Sequence, residues 1–157
     1  MKTKLIACAA LLMTACCGSP SARKAAATKT EVKHGPEIAL VAPDTVGGTS
    51  VNEALANRRS WREYAAAPLT LEELSGVVWA AAGINRPGTD RLTAPSALAL
   101  YPVRVYAFFA EGVYSYDARV HKLVRVLEGD RRKLAGMQDF VFTAPLNLVY
   151  LADRTVY

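Results

Sequence analysis

Apolar and polar positions recur along this chain with two different periods, and the change between them falls near residue 102. From Leu71 to about Ala82, apolar residues Leu71, Leu74, Val77, Val78 and Ala81 return at helical spacing, and Thr70 with Glu73 makes a capping box at the start. Ser50 with Glu53 makes a second box, opening a shorter helix that runs to about Arg58. Asn85-Arg86-Pro87-Gly88 interrupts the chain, and Pro95 suits the first turn of a short helix, where its missing N–H costs nothing. Beyond Pro102 the period is that of strands. Residues 103–110 are β-rich, Glu111-Gly112 turns them, residues 113–116 return, and 123–127 make a third candidate strand. Gly129-Asp130 ends that strand and begins a helical patch through Met137. Residues 146–151, apolar except for Asn147, read as a strand buried on both faces. Helices first, strands after and a hairpin between them predict an α+β domain.

The ends of the chain do not share these periods. Lys2 and Lys4 precede an apolar or small run of about eleven residues, too short to span a bilayer. Met13-Thr14-Ala15-Cys16 then places a small residue before a cysteine, as a lipoprotein signal does, with Leu11-Leu12 upstream. Residues 1–15 are thus expected to be a signal peptide and Cys16 the lipidated residue. Cys17 is the competing site, but it would put a cysteine where alanine fits better. Residues 16–47, rich in Ser, Ala, Lys, Thr, Pro and Gly, read as a flexible, lipid-anchored tether, and 48–157 as the folded part. The expected location is outside the cytoplasm, anchored to a bacterial membrane on its periplasmic side.

Charge and cysteine content narrow the function further. The formal charge of +5 resides in the leader and the tether, because from Gly35 onward 13 basic residues face 13 acidic ones. A nucleic-acid partner is therefore not expected, since such a binder concentrates positive charge on its domain. The cysteines are Cys8, Cys16 and Cys17, so the folded part has no disulfide, thiolate nucleophile or cysteine metal site. With only His34 and His121 available, no metal site or Ser-His-Asp triad is expected either.

Two unusual runs remain. Arg58, Arg59, Ser60 and Arg62 crowd three guanidiniums and a hydroxyl into five residues, and a phosphate matches the bidentate arginine fork well. Alone, such a cluster is as often a solvated helix end. The second run, T-A-P-S-A-L-A-L-Y-P from Thr93 to Pro102, combines small residues with prolines, which lets a backbone approach a flat ring.

Together with R-R-S-W-R-E-Y (58–64), L-T-L-E-E-L-S-G-V-V-W-A-A-A-G-I-N-R-P (69–87), R-L-T-A-P-S-A-L-A-L-Y-P (91–102), G-V-Y-S-Y-D (112–117) and T-A-P-L-N-L-V-Y (143–150), the chain resembles the nitroreductase superfamily of FMN enzymes. Within it, the segments are most similar to the azoline-dehydrogenase (SagB/ThcOx-like) branch. The resemblance covers nearly all of residues 50–157. It implies a three-layer α+β fold, an antiparallel-rich mixed sheet flanked by helices, of which this chain carries the N-terminal part. The family's domain goes on with a helix at the dimer interface, a glycine-containing segment beneath the flavin and a last strand. An apolar strand so close to Tyr157 likewise leads us to expect a truncated sequence, short of covering helices.

The resemblance further implies FMN as cofactor, NAD(P)H as co-substrate and a homodimer in the full-length form. Carried over, Arg58, Arg59, Ser60 and Arg62 anchor the phosphate and ribityl chain, with Arg59 or Ser60 reaching the pyrimidine edge. Pro95, Ser96 and Ala97, with Leu98 and Ala99, lie along the isoalloxazine. Family members often carry glycine where this chain has Leu98, whose commoner role would be plain helix packing. The flavin carries the hydride chemistry, so no side chain is singled out as catalytic. Tyr101, Tyr106, Tyr114 and Tyr116 are expected to be core residues with polar tips.

The expected activity is hydride transfer between a reduced donor and a small nitro compound, quinone or heterocycle. The alternatives are a lipid-anchored flavin-binding module without turnover, or a non-functional fragment lacking half the FMN site. Peptide azole formation needs a partner cyclase that an exported lipoprotein does not meet. Cys16→Ala should abolish lipid labelling and membrane retention while Cys17→Ala preserves both; the reverse pattern would move the anchor to Cys17.

Overall fold

In the computed structural model the described residues are 29–65 and 67–156. The signal segment 1–15, the lipidation candidate Cys16 and its neighbour Cys17 lie outside them. Eight regular elements follow in order: β1 (Glu37–Ala39), α1 (Val51–Asn57), α2 (Leu71–Ala82), β2 (Val103–Phe108), β3 (Gly112–Asp117), β4 (Lys122–Glu128), α3 (Asp139–Thr143) and β5 (Asn147–Ala152). The strands form one sheet in the order β1-β4-β3-β2-β5, with every pairing antiparallel. The α+β expectation holds, although the described sheet is wholly antiparallel rather than mixed.

Helix α2 organises the domain, and its start is capped as the sequence predicts. The Thr70 hydroxyl accepts from the Glu73 N–H at 3.2 Å, and the Glu73 carboxylate accepts from the Thr70 N–H at 2.9 Å. The same backbone bond holds the Glu73 carboxyl below its ordinary range. One face of α2 then buries Leu74 and Val78 against Ile38, Ala107, Phe109, Tyr114 and Leu123 of the sheet. Alternation along β2 sends Val105 and Ala107 to this face, and register places Tyr150 and Leu148 of β5 opposite them.

Residues 30–41 are built into this core, which shortens the tether predicted over 16–47 at that point; residues 16–28 lie outside the described ones. The Leu71 N–H donates to the Thr30 carbonyl, and β1 pairs with β4 from Glu37↔Val124 to Ala39↔Lys122. The fully buried Ser75 hydroxyl donates to the Leu71 carbonyl at 2.6 Å and accepts from the Val41 N–H at 3.0 Å. Tyr114, also buried, donates its hydroxyl to the Gly35 carbonyl at 3.0 Å. His34 packs edge-on to Phe109 at 4.8 Å between ring centroids. His121 Nε2 lies 2.9 Å from the Val41 carbonyl, which can only accept, so its Nδ1 accepts from the Tyr116 hydroxyl at 2.8 Å. Burial pushes the Tyr116 phenol up to about 12. Composition alone hid this segment because its few apolar residues are spaced by Lys, His, Gly and Pro.

Three further expectations change. Among the described strands β5 is at the sheet's edge, paired with β2 alone, so its second half is open, with Tyr150 and Leu151 55% and 54% exposed. Burial on both faces, expected for 146–151, is therefore not what the structure has. The helical patch predicted through Met137 shrinks to a 3-10 turn, Arg132–Leu134. Asp130 braces that turn, its carboxylate accepting from Arg132 Nη2 at 2.7 Å, and those bonds bring its pKa down to about 2. Helix α3 follows instead and had no expectation attached to it.

Among the described residues, no helix is long and apolar enough to cross a membrane. Ser75→Ala should cost about 1–3 kcal/mol, because the part-buried Val41 N–H loses its acceptor, and Tyr114→Phe should cost about 1 kcal/mol. Urea melts with hydrogen exchange over residues 30–41 check both. Unchanged protection there in Ser75→Ala would show that the segment is held by other contacts.

Candidate functional site

The C-terminal end of α2 fixes the site loop. Gly83 caps the helix in an extended conformation, and a Cβ at that position would collide with the Trp79 ring. Trp79 Nε1 donates to the Ile84 carbonyl at 3.1 Å, which turns the chain away. Thr93 then returns to the helix end. Its N–H donates to the Gly83 carbonyl at 2.8 Å and its hydroxyl to the Ala80 carbonyl at 3.1 Å. These bonds satisfy carbonyls that a helix terminus leaves without intrahelical partners. The loop over 84–92 is steadied from outside, where Arg119 Nε and Nη2 both donate to the Asp90 carboxylate at 3.2 Å.

Thr93 in turn places the predicted residues 95–99. Pro95, Ser96 and Ala97 wall an apolar cavity of about 300 Å³, together with Ala81 and Ala82 of α2, Val105 of β2 and Tyr150 of β5. The Ser96 hydroxyl accepts from the Tyr101 N–H at 2.9 Å, and the Tyr101 hydroxyl accepts from the Leu92 N–H at 3.4 Å, so the loop closes on itself. The short helix expected from Pro95 is absent. In its place is a single turn, Ala97–Ala99, with left-handed residues in and just after it: φ is 53° at Leu98, 55° at Ala99 and 46° at Tyr101. Leu98 is 90% exposed, which overturns the helix-packing role. The part of Tyr101 in this loop was not foreseen, and its place before Pro102 points instead to extended backbone.

The arginine run lies elsewhere. Helix α1 buries none of its residues, and Arg58, Arg59, Ser60, Trp61 and Arg62 after it are all exposed. Among the described residues no carboxylate forms an ion pair with Arg58, Arg59 or Arg62. Arg62 instead stands over the Phe140 ring of α3, 5.7 Å from its centroid. None of the four residues lines the apolar cavity, and no described contact joins them to residues 95–99. A larger groove of about 590 Å³ between Thr30, Tyr64, Leu69 and Pro145 contains none of the predicted residues. No group of three or more metal-ligating side chains occurs among the described residues, and Tyr114 belongs to the core as expected.

An antiparallel α+β domain with an apolar cavity at the end of its main helix is the class that the fold defines. A model of the nitroreductase family matches residues 55–157. A protein of Methanocaldococcus jannaschii named as a putative nitroreductase is 36% identical over 129 residues, covering 76% of this chain and 64% of its own length. The crystal structure of a putative nitroreductase from Ralstonia eutropha superposes with a TM-score of 0.71 at 36% identity, covering 82% of this chain and 62% of that one. The chain belongs to the nitroreductase family and spans just under two-thirds of the length of these relatives.

Thr93→Val keeps the shape and removes the hydroxyl, at an expected cost of about 1 kcal/mol. The thermal midpoint should fall by roughly 2–4 °C for a chain of this size. An unaltered midpoint would show that the backbone bond to Gly83 suffices to place the loop.

Proposed function

We propose that the whole protein is an FMN-dependent oxidoreductase that passes a hydride between NAD(P)H and a small organic acceptor such as a nitro compound, quinone or heterocycle. Family membership supports flavin-dependent redox chemistry in general. The observation that carries the reading for this chain is the cluster of Arg58, Arg59 and Arg62, exposed and without a carboxylate partner among the described residues. Three guanidiniums within five residues, exposed and without a described carboxylate partner, fit a phosphate. The small residues Ala81, Ala82 and Ala97 beside Pro95 suit the close approach of a flat ring.

In this reading Arg58, Arg59 and Arg62 bind the phosphate, and Ser60 offers a hydroxyl to the ribityl chain. Pro95, Ser96, Ala97, Leu98 and Ala99 orient the ring system through backbone and van der Waals contacts. The flavin, when bound, supplies the hydride chemistry, and the chain's task is to bind it, aim it and keep water from one side. The motifs around Arg58 and Pro95 favour the azoline-dehydrogenase branch, and we also place the working protein as a homodimer. We further propose export and lipid attachment through Cys16, on the strength of the leader sequence alone.

The test is an FMN titration of the whole protein with and without Arg58→Ala and Arg62→Ala together. Charge-assisted bonds to a phosphate contribute about 1.5–3 kcal/mol each, so the double variant should bind FMN at least about tenfold more weakly. Added salt should weaken the wild type more than the variant. Superimposable titrations would place the arginines on a solvated surface. Flavin uptake without bleaching by NADH or NADPH would favour a binding module over an enzyme.

A further inference from the structure

Residues 30–41 form a strap from the start of α2 to the edge of β4, and both histidines of the chain meet it. At its C-terminal end His121 is fully engaged, with Nε2 donating to the Val41 carbonyl and Nδ1 accepting from the Tyr116 hydroxyl. His34, nearer the other end, is not. Its ring packs against Phe109, and its Nδ1 is buried without a hydrogen-bond partner among the described residues. Glu111 Oε2, in the turn between β2 and β3, stands 3.6 Å from that nitrogen, just beyond hydrogen-bond length.

A buried ring nitrogen left unsatisfied costs free energy, and a neutral imidazole gains little from a carboxylate at this distance. A protonated imidazole carries an N–H on both nitrogens, so a small side-chain rotation lets Glu111 accept from Nδ1. Imidazole is also the side chain whose ordinary charge change falls between pH 5 and 8. The neighbouring groups leave Glu111 available. Arg132, which walls the same cavity of about 230 Å³, is committed to the Asp130 carboxylate and the Ala144 carbonyl. Arg125 and Glu128 of β4 face each other at 3.7 Å, and the Tyr114 hydroxyl is bound to the Gly35 carbonyl. Glu31, on the strap, lines the cavity as well and adds a second negative charge.

We propose that His34 and Glu111 form a proton-operated latch, which fastens the strap to the β2–β3 turn when the imidazole is charged and loosens it when the imidazole is neutral. Neither residue belongs to the proposed flavin-binding set. The charged ring has its partner only while the strap is closed. The closed form therefore binds the proton more tightly, and the strap gains stability as pH falls through the imidazole range. The latch bears on the groove of about 590 Å³, because Thr30 and Glu31 of the strap wall it together with Tyr64. Fastening keeps that groove walled on the strap side.

The experiment compares the whole protein with its Glu111→Gln and His34→Gln variants at about pH 8 and about pH 5.5, the latter still above the ordinary carboxylate range. It reads amide hydrogen exchange over residues 31–35, corrected for intrinsic rates, and the His34 ring nitrogens by NMR. From the higher to the lower pH, the opening constant of the wild-type segment should fall by about threefold or more, a modest change because the pair is partly exposed. Either variant should lose most of that fall, and high salt should shrink it in the wild type. His121 is common to all three proteins, so its own titration cancels. Equal pH dependence in wild type and Glu111→Gln overturns the latch. A His34 ring that stays neutral at pH 5.5 overturns it too, and shows that a bond from outside the described residues holds Nδ1. If one variant does not fold, the other carries the same comparison. If neither folds, the wild-type salt series decides, and a pH dependence that survives 1 M sodium chloride overturns the latch.

Discussion

The seating of one apolar face of α2 on the sheet is the contact on which the rest of the molecule depends. Leu74 and Val78 are fully buried there, and each such side chain contributes about 1.5–3 kcal/mol over an exposed one. Between them Ser75 brings a hydroxyl into the same interface, where an unpaired polar group would be costly. It is paired twice, once within the helix and once to Val41. The core therefore selects one path for the N-terminal segment, across the base of α2 and along the edge of β4.

The same helix delivers the candidate site from its other end. Gly83 and Thr93 convert the terminus of α2 into a fixed origin for the loop of residues 95–101, and the Arg119–Asp90 pair steadies the intervening turn. The arginine run has no comparable support. It follows a seven-residue helix that buries nothing, and its described tertiary contact is Arg62 over Phe140. On the flavin reading proposed above, residues 95–101 are preorganised, whereas the arginine run would have to be ordered by the phosphate it binds, and that ordering lowers affinity.

Much of this was legible in the sequence where local signals and tertiary needs agree. Helix α2 carries a capping box and a clean period, and strands β2 to β4 carry β-rich runs broken by Glu111-Gly112 and Gly129-Asp130. Legibility failed where tertiary context decides. Strand β1 is three residues long and becomes a strand only because β4 offers it an edge. In α3, Phe140 and Phe142 alternate as they would in a strand, and Gln138 before them makes no side-chain capping bond. The apolar run at β5 shows that a sequence can announce a strand without announcing how many neighbours it has. At the site, residue types were readable as a cationic run and a small-residue run, but the left-handed backbone at Leu98, Ala99 and Tyr101 was not. Their identities give no hint of it, since none is a glycine.

The pairing of β1 with β4 also has a bearing on how the chain comes to be made. Ile38 lies opposite Leu123, so an entire sheet edge waits on residues 85 positions further along. At a synthesis rate of about 5–20 residues per second, roughly 4–17 seconds separate the two strands' appearance. The hairpins of β2, β3 and β4 have no such delay, because their partners are near neighbours. For most of that interval Tyr114 and His121, whose bonds reach back to Gly35 and Val41, have not been made, so the first described strand must wait for more than half of the domain before it has an edge to join.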